Sequence, residues 1–227
     1  MAKIYKIVIL LILVSFSLSS NAHFQHYENL KRIEFDIYRN NNYIGKHIFF
    51  FERSGDVTTV RSEINFKIKK LGVVLYRYTA EGTEVYKGGK LVKFNSNTNQ
   101  NKKKKYVNIK RDEDEYIIDG SSYKGKVPTD FMIGTWWNHN IVKAKAQISA
   151  VSGRIIKQNV KFLGKERVTI GENFFDALHF NFTSSDKKLA KGKKLNTHVW
   201  YDEKTNLWIK AAFDKKGKWE YRLVLIE

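Results

Sequence analysis

The feature that most constrains this chain is a two-residue alternation of apolar and polar side chains, interrupted at short intervals by Gly, Asn and Asp. In residues 60–69, Val60, Phe66 and Ile68 share one parity, while Arg61 and Lys67 share the other. Successive side chains of a β-strand point to opposite faces of the sheet. The pattern therefore predicts a strand with one buried face and one solvated face.

Similar alternation recurs from Leu30 to the C-terminus, and its turns include Asn40-Asn41-Asn42 and Gly88-Gly89. We predict an all-β domain of about a dozen strands, arranged as a strongly curved antiparallel meander sheet or a half-open β-barrel. No linker rich in Pro, Gly or Ser divides residues 30–227, so we expect a single domain after a lead-in at 23–29. The rhythm breaks after the only proline, Pro128, where we predict one short helical or irregular segment around 129–146.

The first 22 residues have the layout of a secretory signal peptide. Lys3 and Lys6 precede an unbroken apolar run at residues 7–14, and Ser20-Asn21-Ala22 offers small residues for cleavage after Ala22. The apolar run is shorter than the ~20 residues that cross a bilayer, although an uncleaved anchor is the alternative. We expect an exported periplasmic protein without a transmembrane segment in its mature form. The absence of Cys excludes a lipoprotein anchor.

The chain is strongly basic, with a formal net charge of +18. One interpretation is attraction to an anionic surface of the cell envelope. The other is compositional drift, which the excess of 32 Lys over 9 Arg favours, because selected phosphate sites tend to use Arg. Export argues against a nucleic-acid partner.

The sequence contains no recognisable catalytic constellation. Thiol chemistry is excluded by the absence of Cys, and Gly120-Ser121-Ser122-Tyr123 lacks the Gly-x-Ser-x-Gly pattern of a nucleophile elbow. Cleavage after Ala22 would leave His23 at the N-terminus, where its amine and imidazole could chelate copper with a second His. The simpler interpretation is that His23 is only the first residue of a flexible segment that precedes the domain. We therefore predict no catalytic residue, no metal ligand and no cofactor.

The segment Thr135-Trp136-Trp137-Asn138 is the most informative local motif. Adjacent indoles in a regular strand point to opposite faces, so either the backbone is irregular here or one indole lies at a surface or pocket rim. Packing in the core competes with a role in ligand contact. The predicted ligand-binding residues are Tyr78, Trp136, Trp137, Asn138 and Trp200.

An ordered set of motifs covers nearly the whole chain after residue 30. It comprises Phe35-Asp36-Ile37-Tyr38, Tyr43-Ile44-Gly45-Lys46-His47, Val60-Arg61-Ser62-Glu63, Tyr76-Arg77-Tyr78, Glu84-Val85-Tyr86-Lys87-Gly88-Gly89-Lys90-Leu91, Thr135-Trp136-Trp137-Asn138, Ser152-Gly153-Arg154, Trp200-Tyr201-Asp202 and Glu220-Tyr221-Arg222-Leu223. In these motifs the chain resembles a domain-of-unknown-function family of exported Gram-negative proteins. Trp137 and His139 stand where the family pattern has an aromatic residue and a proline.

The resemblance implies a curved antiparallel sheet, distantly similar to the half-barrels of lipoprotein carriers, and it names no catalytic residue. We accordingly expect a non-catalytic binder of a lipid, acyl chain or lipoprotein on the concave face of the sheet. One alternative is an envelope scaffold or assembly protein that binds other proteins. The second alternative is an envelope hydrolase or copper-binding protein.

Overall fold

The computed structural model describes Tyr27 and residues 29–227, and it is almost entirely β-structure. The predicted signal peptide and His23 lie outside these residues. The strands are β1 (Arg32–Arg39), β2 (Asn42–Ser54), β3 (Val57–Lys70), β4 (Val73–Lys87), β5 (Lys90–Gln100), β6 (Lys103–Asp112), β7 (Glu115–Gly120), β8 (Lys124–Pro128), β9 (Met132–Ile133), β10 (Ala146–Ile148), β11 (Ile155–Ile170), β12 (Asn173–Ser184), β13 (Asn196–Asp202), β14 (Trp208–Asp214) and β15 (Lys218–Ile226). Two short 3-10 helices span His139–Lys143 and Lys191–Lys193. Within the described part of the chain, no helix is long and apolar enough to cross a bilayer.

All fifteen strands belong to one sheet, in the order β8-β7-β6-β5-β4-β3-β2-β1-β15-β14-β13-β12-β11-β10-β9. Consecutive strands are neighbours in the sheet, with one exception: β8 and β9 lie at its two opposite edges, and β1 pairs with β15 in the middle. The pairs are antiparallel apart from β9 with β10. The predicted all-β class and curved meander are confirmed, with fifteen strands in place of about a dozen.

The sheet curves around a shared core without closing into a hydrogen-bonded barrel. Val107 of β6 and Val199 of β13 lie far apart in the strand order, yet they belong to one apolar cluster. The two edges meet through a loop, where the Ser122 amide donates to the carbonyl oxygen of Ser152 at 2.8 Å. A Cβ at Gly120 would lie only 2.8 Å from that same oxygen, so this seam requires glycine.

Aromatic side chains fill the centre of the inner face. Phe35 of β1 stacks on Trp208 of β14 with ring centroids 3.8 Å apart, and Phe49 of β2 meets both rings edge-on. These three residues are fully buried. The polar face of the sheet carries ion pairs such as Lys46 with Glu34 at 2.9 Å. One face is therefore the core and the other is solvated, as the alternation predicted.

Candidate functional site

The irregular segment around 129–146 crosses the inner face of the sheet. It contains the short strand β9 and the first 3-10 helix, whose N-cap is Asn138 with its side chain accepting from the Asn140 amide. Trp136 has a φ of 60°, in the left-handed region that non-glycine residues seldom occupy. This backbone conformation separates the two adjacent indoles, so Trp136 and Trp137 have different surroundings.

Trp137 is a core residue. It is 1% exposed, and its ring makes edge-on contacts with Tyr27, Phe51 and Tyr86 at centroid distances of 5.4–5.8 Å. Its indole nitrogen donates to Oε1 of Glu84 at 2.9 Å. The side chain therefore fastens the irregular segment to strand β4.

The side chain of Glu84 is fully buried, and its carboxyl oxygens accept three hydrogen bonds. Oε1 accepts from the Thr135 hydroxyl at 2.9 Å and from Trp137, while Oε2 accepts from the Tyr86 hydroxyl. Burial raises the pKa of Glu84, and these hydrogen bonds act in the opposite direction. The carboxyl is enclosed by protein groups, which makes this cluster a structural anchor.

A cavity of about 250 Å³ lies beside this anchor, between the inner face of β2–β5 and the irregular segment. Tyr78 of β4 and Trp136 of the irregular segment both line it. Other apolar lining residues include Ile64, Ala80, Phe94, Ile156, Leu195 and Tyr221. The surface of the cavity is mainly apolar, as is common for sites that hold organic ligands.

His47 of β2 is the cavity's unusual polar residue. It is buried, its ring lies 4.2 Å from that of Phe49, and neither ring nitrogen has a hydrogen-bond partner among the described residues. Burial lowers the pKa of His47 to about 3, so the imidazole is neutral at physiological pH. The indole nitrogen of Trp136 is likewise without a partner in this part of the chain. Most buried polar groups in proteins are hydrogen-bonded, which makes two such groups beside one cavity informative.

A larger groove of about 760 Å³ adjoins the cavity. Trp136, Ile156 and Leu195 line both spaces, so the cavity and the groove meet at these residues. The outer part of the groove is basic, with Arg154, Lys193, Lys194, Lys215 and Lys216 among its lining residues. An apolar interior thus leads to a cationic mouth.

The predicted ligand-binding residues divide into two groups. Tyr78 and Trp136 come together around the cavity. Trp137 is packed in the core, Asn138 caps the 3-10 helix, and neither lines the cavity. Trp200 is on another part of the sheet, where it stacks on His179 at 4.2 Å and its indole donates to Glu166.

Sequence reasoning did not include His47 and Glu84, the two polar residues that distinguish this interior, among the predicted ligand-binding residues. Both stand in alternation with apolar residues, His47 with Phe49 and Phe51, and Glu84 with Tyr86. The sequence did contain one indication of these residues: each is a polar residue at a strand position where the alternation predicts a side chain that faces the core.

The imidazoles on the solvated face form a chain of contacts. His179 lies 3.0 Å from a carboxylate oxygen of Glu166 and 2.8 Å from Nδ1 of His198. Burial is the main cause of the lowered pKa of His179. Both ring nitrogens of His179 are engaged, and the described residues include no group of three or more His, Asp or Glu able to hold a metal.

Comparison with known proteins finds matches among solved structures. A crystal structure described as a beta-barrel-like protein of domain of unknown function DUF1849, from Brucella abortus, is 9% identical, with 87% of this chain and 98% of that chain covered at a TM-score of 0.59. A DUF1329 family protein from Desulfovibrio piger is also 9% identical, with 91% and 88% covered, at a TM-score of 0.22. No curated protein matches the chain.

The first of these similarities supports a β-barrel-like architecture and does not extend to activity. By sequence, the chain matches a different family from those of the two solved structures. Residues 35–224, which contain the cavity, the Glu84 anchor and most of the sheet, match the domain of unknown function DUF6134. The chain belongs to the DUF6134 family.

Proposed function

We propose that this protein is a non-catalytic binder that holds the acyl chain of a lipid or lipoprotein inside its curved sheet. The observation that carries the proposal is the mainly apolar cavity behind Trp136, which adjoins a groove with a lysine-rich mouth. Transfer of an acyl chain from water gains ~0.8 kcal/mol for each buried CH₂ group. The two spaces, about 250 and 760 Å³, fall at or near the ~300–1,000 Å³ typical of ligand sites.

The polar groups beside these spaces suit an amphiphile with an anionic head. Lys193, Lys194, Lys215 and Lys216 at the mouth would neutralise a phosphate or carboxylate at the surface. Inside, neutral His47 and the Trp136 indole offer hydrogen bonds to an ester or hydroxyl group near the head. A purely hydrocarbon ligand would leave these groups unpaired.

The test compares two variants, each of which places one phenylalanine on a different face of strand β4. Ala80→Phe places the ring at a cavity-lining position, whereas Thr79→Phe places it on the next residue, which points away from the cavity. Binding of a fluorescent polyunsaturated fatty acid would be titrated, and lipids co-purifying with each protein would be measured by mass spectrometry. We expect Ala80→Phe to weaken binding at least tenfold and Thr79→Phe to bind like the wild type.

Equal binding by both variants, or no lipid and no probe bound by the wild type, would overturn the proposal. Circular dichroism and thermal melts of both variants would establish that they fold.

We also propose that the protein acts in the periplasm after cleavage following Ala22. The support is the layout of the first 22 residues. Mass measurement of the N-terminal peptide from the envelope fraction should give a chain that begins at His23. An intact Met1 terminus would contradict export by this route.

A further inference from the structure

The meander places its turns at two opposite ends of the sheet. One end carries the β1–β2, β3–β4, β5–β6 and β14–β15 turns together with the connections at 149–154 and 185–195. The other end carries the β2–β3, β4–β5, β6–β7, β11–β12 and β13–β14 turns. The assignment follows from antiparallel pairing alone, because each hairpin reverses the chain.

The turn residues at the two ends carry opposite charge. Turn residues at the first end, named the basic end, include Lys102, Arg154, Lys187, Lys188, Lys193, Lys194, Lys215 and Lys216, against Asp186. Turn residues at the second end, named the acidic end, include Asp56, Glu113, Asp114, Glu172 and Glu203, against Lys204. Uniform compositional drift towards Lys would enrich both ends. The separation therefore indicates a directed field in addition to a high net charge.

The basic end also carries an exposed apolar hairpin tip at residues 71–75. Leu71 is 94% exposed, and Val73, Val74 and Leu75 are exposed as well. Lys69, Lys70 and Arg77 flank this tip. Consecutive exposed apolar side chains have no packing role in the isolated protein, so they indicate a partner surface.

We propose that the basic end is a membrane-docking surface, with the tip at 71–75 inserted among the lipids of an anionic bilayer and the surrounding lysines held against its headgroups. Charge complementarity identifies the partner. Apolar side chains ringed by Lys are suited to the boundary between headgroups and acyl chains, where each Lys near an anionic surface adds favourable energy.

A lipid surface fits this end better than nucleic acid. Lys predominates over the forked Arg side chains that recognise phosphates bidentately, and an aliphatic tip offers nothing for stacking on bases. The groove mouth lined by Lys193 and Lys215 opens at this same end. The docking surface nevertheless stands on its own observations, whether or not the cavity holds an acyl chain.

The test is co-sedimentation with vesicles of phosphatidylcholine and of an equal mixture of phosphatidylcholine and phosphatidylglycerol. The protein is expressed from the full chain, and intact mass is used to ensure that every variant has the same N-terminus. The wild type should bind the mixed vesicles at least tenfold more tightly, and added salt should weaken that binding. The double variant Leu71→Asn, Leu75→Ser should lose about tenfold in affinity, and Asn suits the left-handed backbone of Leu71, whose φ is 49°.

The matched control is Phe174→Ser. Phe174 is 68% exposed at the acidic end, where it follows Glu172. Its variant should bind vesicles like the wild type. The cavity variant Ala80→Phe should also bind vesicles normally, which separates failure of docking from failure of acyl binding. Equal binding to both kinds of vesicle, or full binding by the Leu71 and Leu75 variant, would overturn the proposal, as would selective binding to an acidic protein instead.

Discussion

Two buried polar regions lie near each other on the inner face of the sheet, and they differ in how their hydrogen-bonding groups are satisfied. At Glu84 on β4, both carboxyl oxygens accept hydrogen bonds from protein donors. At His47 on β2, both ring nitrogens lack a partner among the described residues. Glu84 lies under a segment that encloses it, whereas His47 lies beside a cavity.

The difference separates a structural role from a binding role. A satisfied buried cluster fixes one arrangement of the chain, here the position of the irregular segment above β4. An unsatisfied group costs the folded state free energy that a ligand can recover when it supplies the missing partner. The cluster at Glu84 is thus expected to govern stability, and the cavity at His47 is expected to govern binding.

The largest expected effect comes from removal of the acceptor in the satisfied region. Glu84→Leu leaves the Thr135 hydroxyl and the Trp137 indole without their acceptor in the core, so the free energy of unfolding should fall by roughly 3 kcal/mol or more. Glu84→Gln is the matched control, because its amide can accept from both groups and donate to the Tyr86 oxygen. It should cost about 1 kcal/mol or less. Urea unfolding followed by tryptophan fluorescence measures both, and equal stability of Glu84→Leu and the wild type would remove the distinction between the regions.

The second effect concerns the pH dependence of the free energy of unfolding, to which His47 and Glu84 contribute in opposite directions. Unfolded His protonates below pH 6.5, but the pKa of buried His47 is about 3, so acidification from pH 7 to 5 favours the unfolded state. The raised pKa of Glu84 has the opposite consequence, since the folded carboxyl retains a proton that the unfolded one loses above pH 4.5.

His47→Leu should therefore gain about 2 kcal/mol relative to the wild type between pH 7 and pH 5, at ~1.4 kcal/mol per pH unit. Glu84→Gln removes the opposite contribution, so its stability relative to the wild type should fall as the pH is lowered towards 4.5. Urea titrations at pH 7, 6 and 5 measure these differences. Parallel curves for all three proteins would show that neither group is buried as described.

The smallest effect is that of His47→Leu at pH 7 itself. Replacement of an unpaired imidazole by an aliphatic side chain of similar size should raise the free energy of unfolding by about 1 kcal/mol. The same variant should bind an acyl ester more weakly. Lower stability, checked by thermal melting of delipidated protein, would mean that the folded protein itself supplies a partner for the imidazole.

The strand pattern was predictable because alternation is a local property. Val60 and Phe66 are buried in β3, and Arg61 is exposed, as their parity indicates. The irregular backbone at Trp136 was one of two interpretations that the adjacent indoles allowed. Its left-handed φ was not predictable, because it depends on contacts with strands distant in the chain.

The candidate site was less predictable than the fold for the same reason. Tyr78 and Trp136 line one cavity, but Trp200 belongs to a different part of the sheet, and nothing local distinguishes these aromatic residues. The charges of the turns were visible in the sequence. Their separation into two ends emerges only when antiparallel pairing assigns alternate turns to opposite ends of the sheet.

The pairing of β1 with β15 has a consequence for how the chain folds. Every other ladder joins strands that are close in sequence, so hairpins on either side can form with short loops to close. Phe35 and Leu223, which are partners across β1 and β15, lie near opposite ends of the described chain. The entropic cost of closing the longest loop therefore falls on the strands at the centre of the sheet, and this closure should limit the folding rate. A truncation that removes β15 would divide the sheet at its middle.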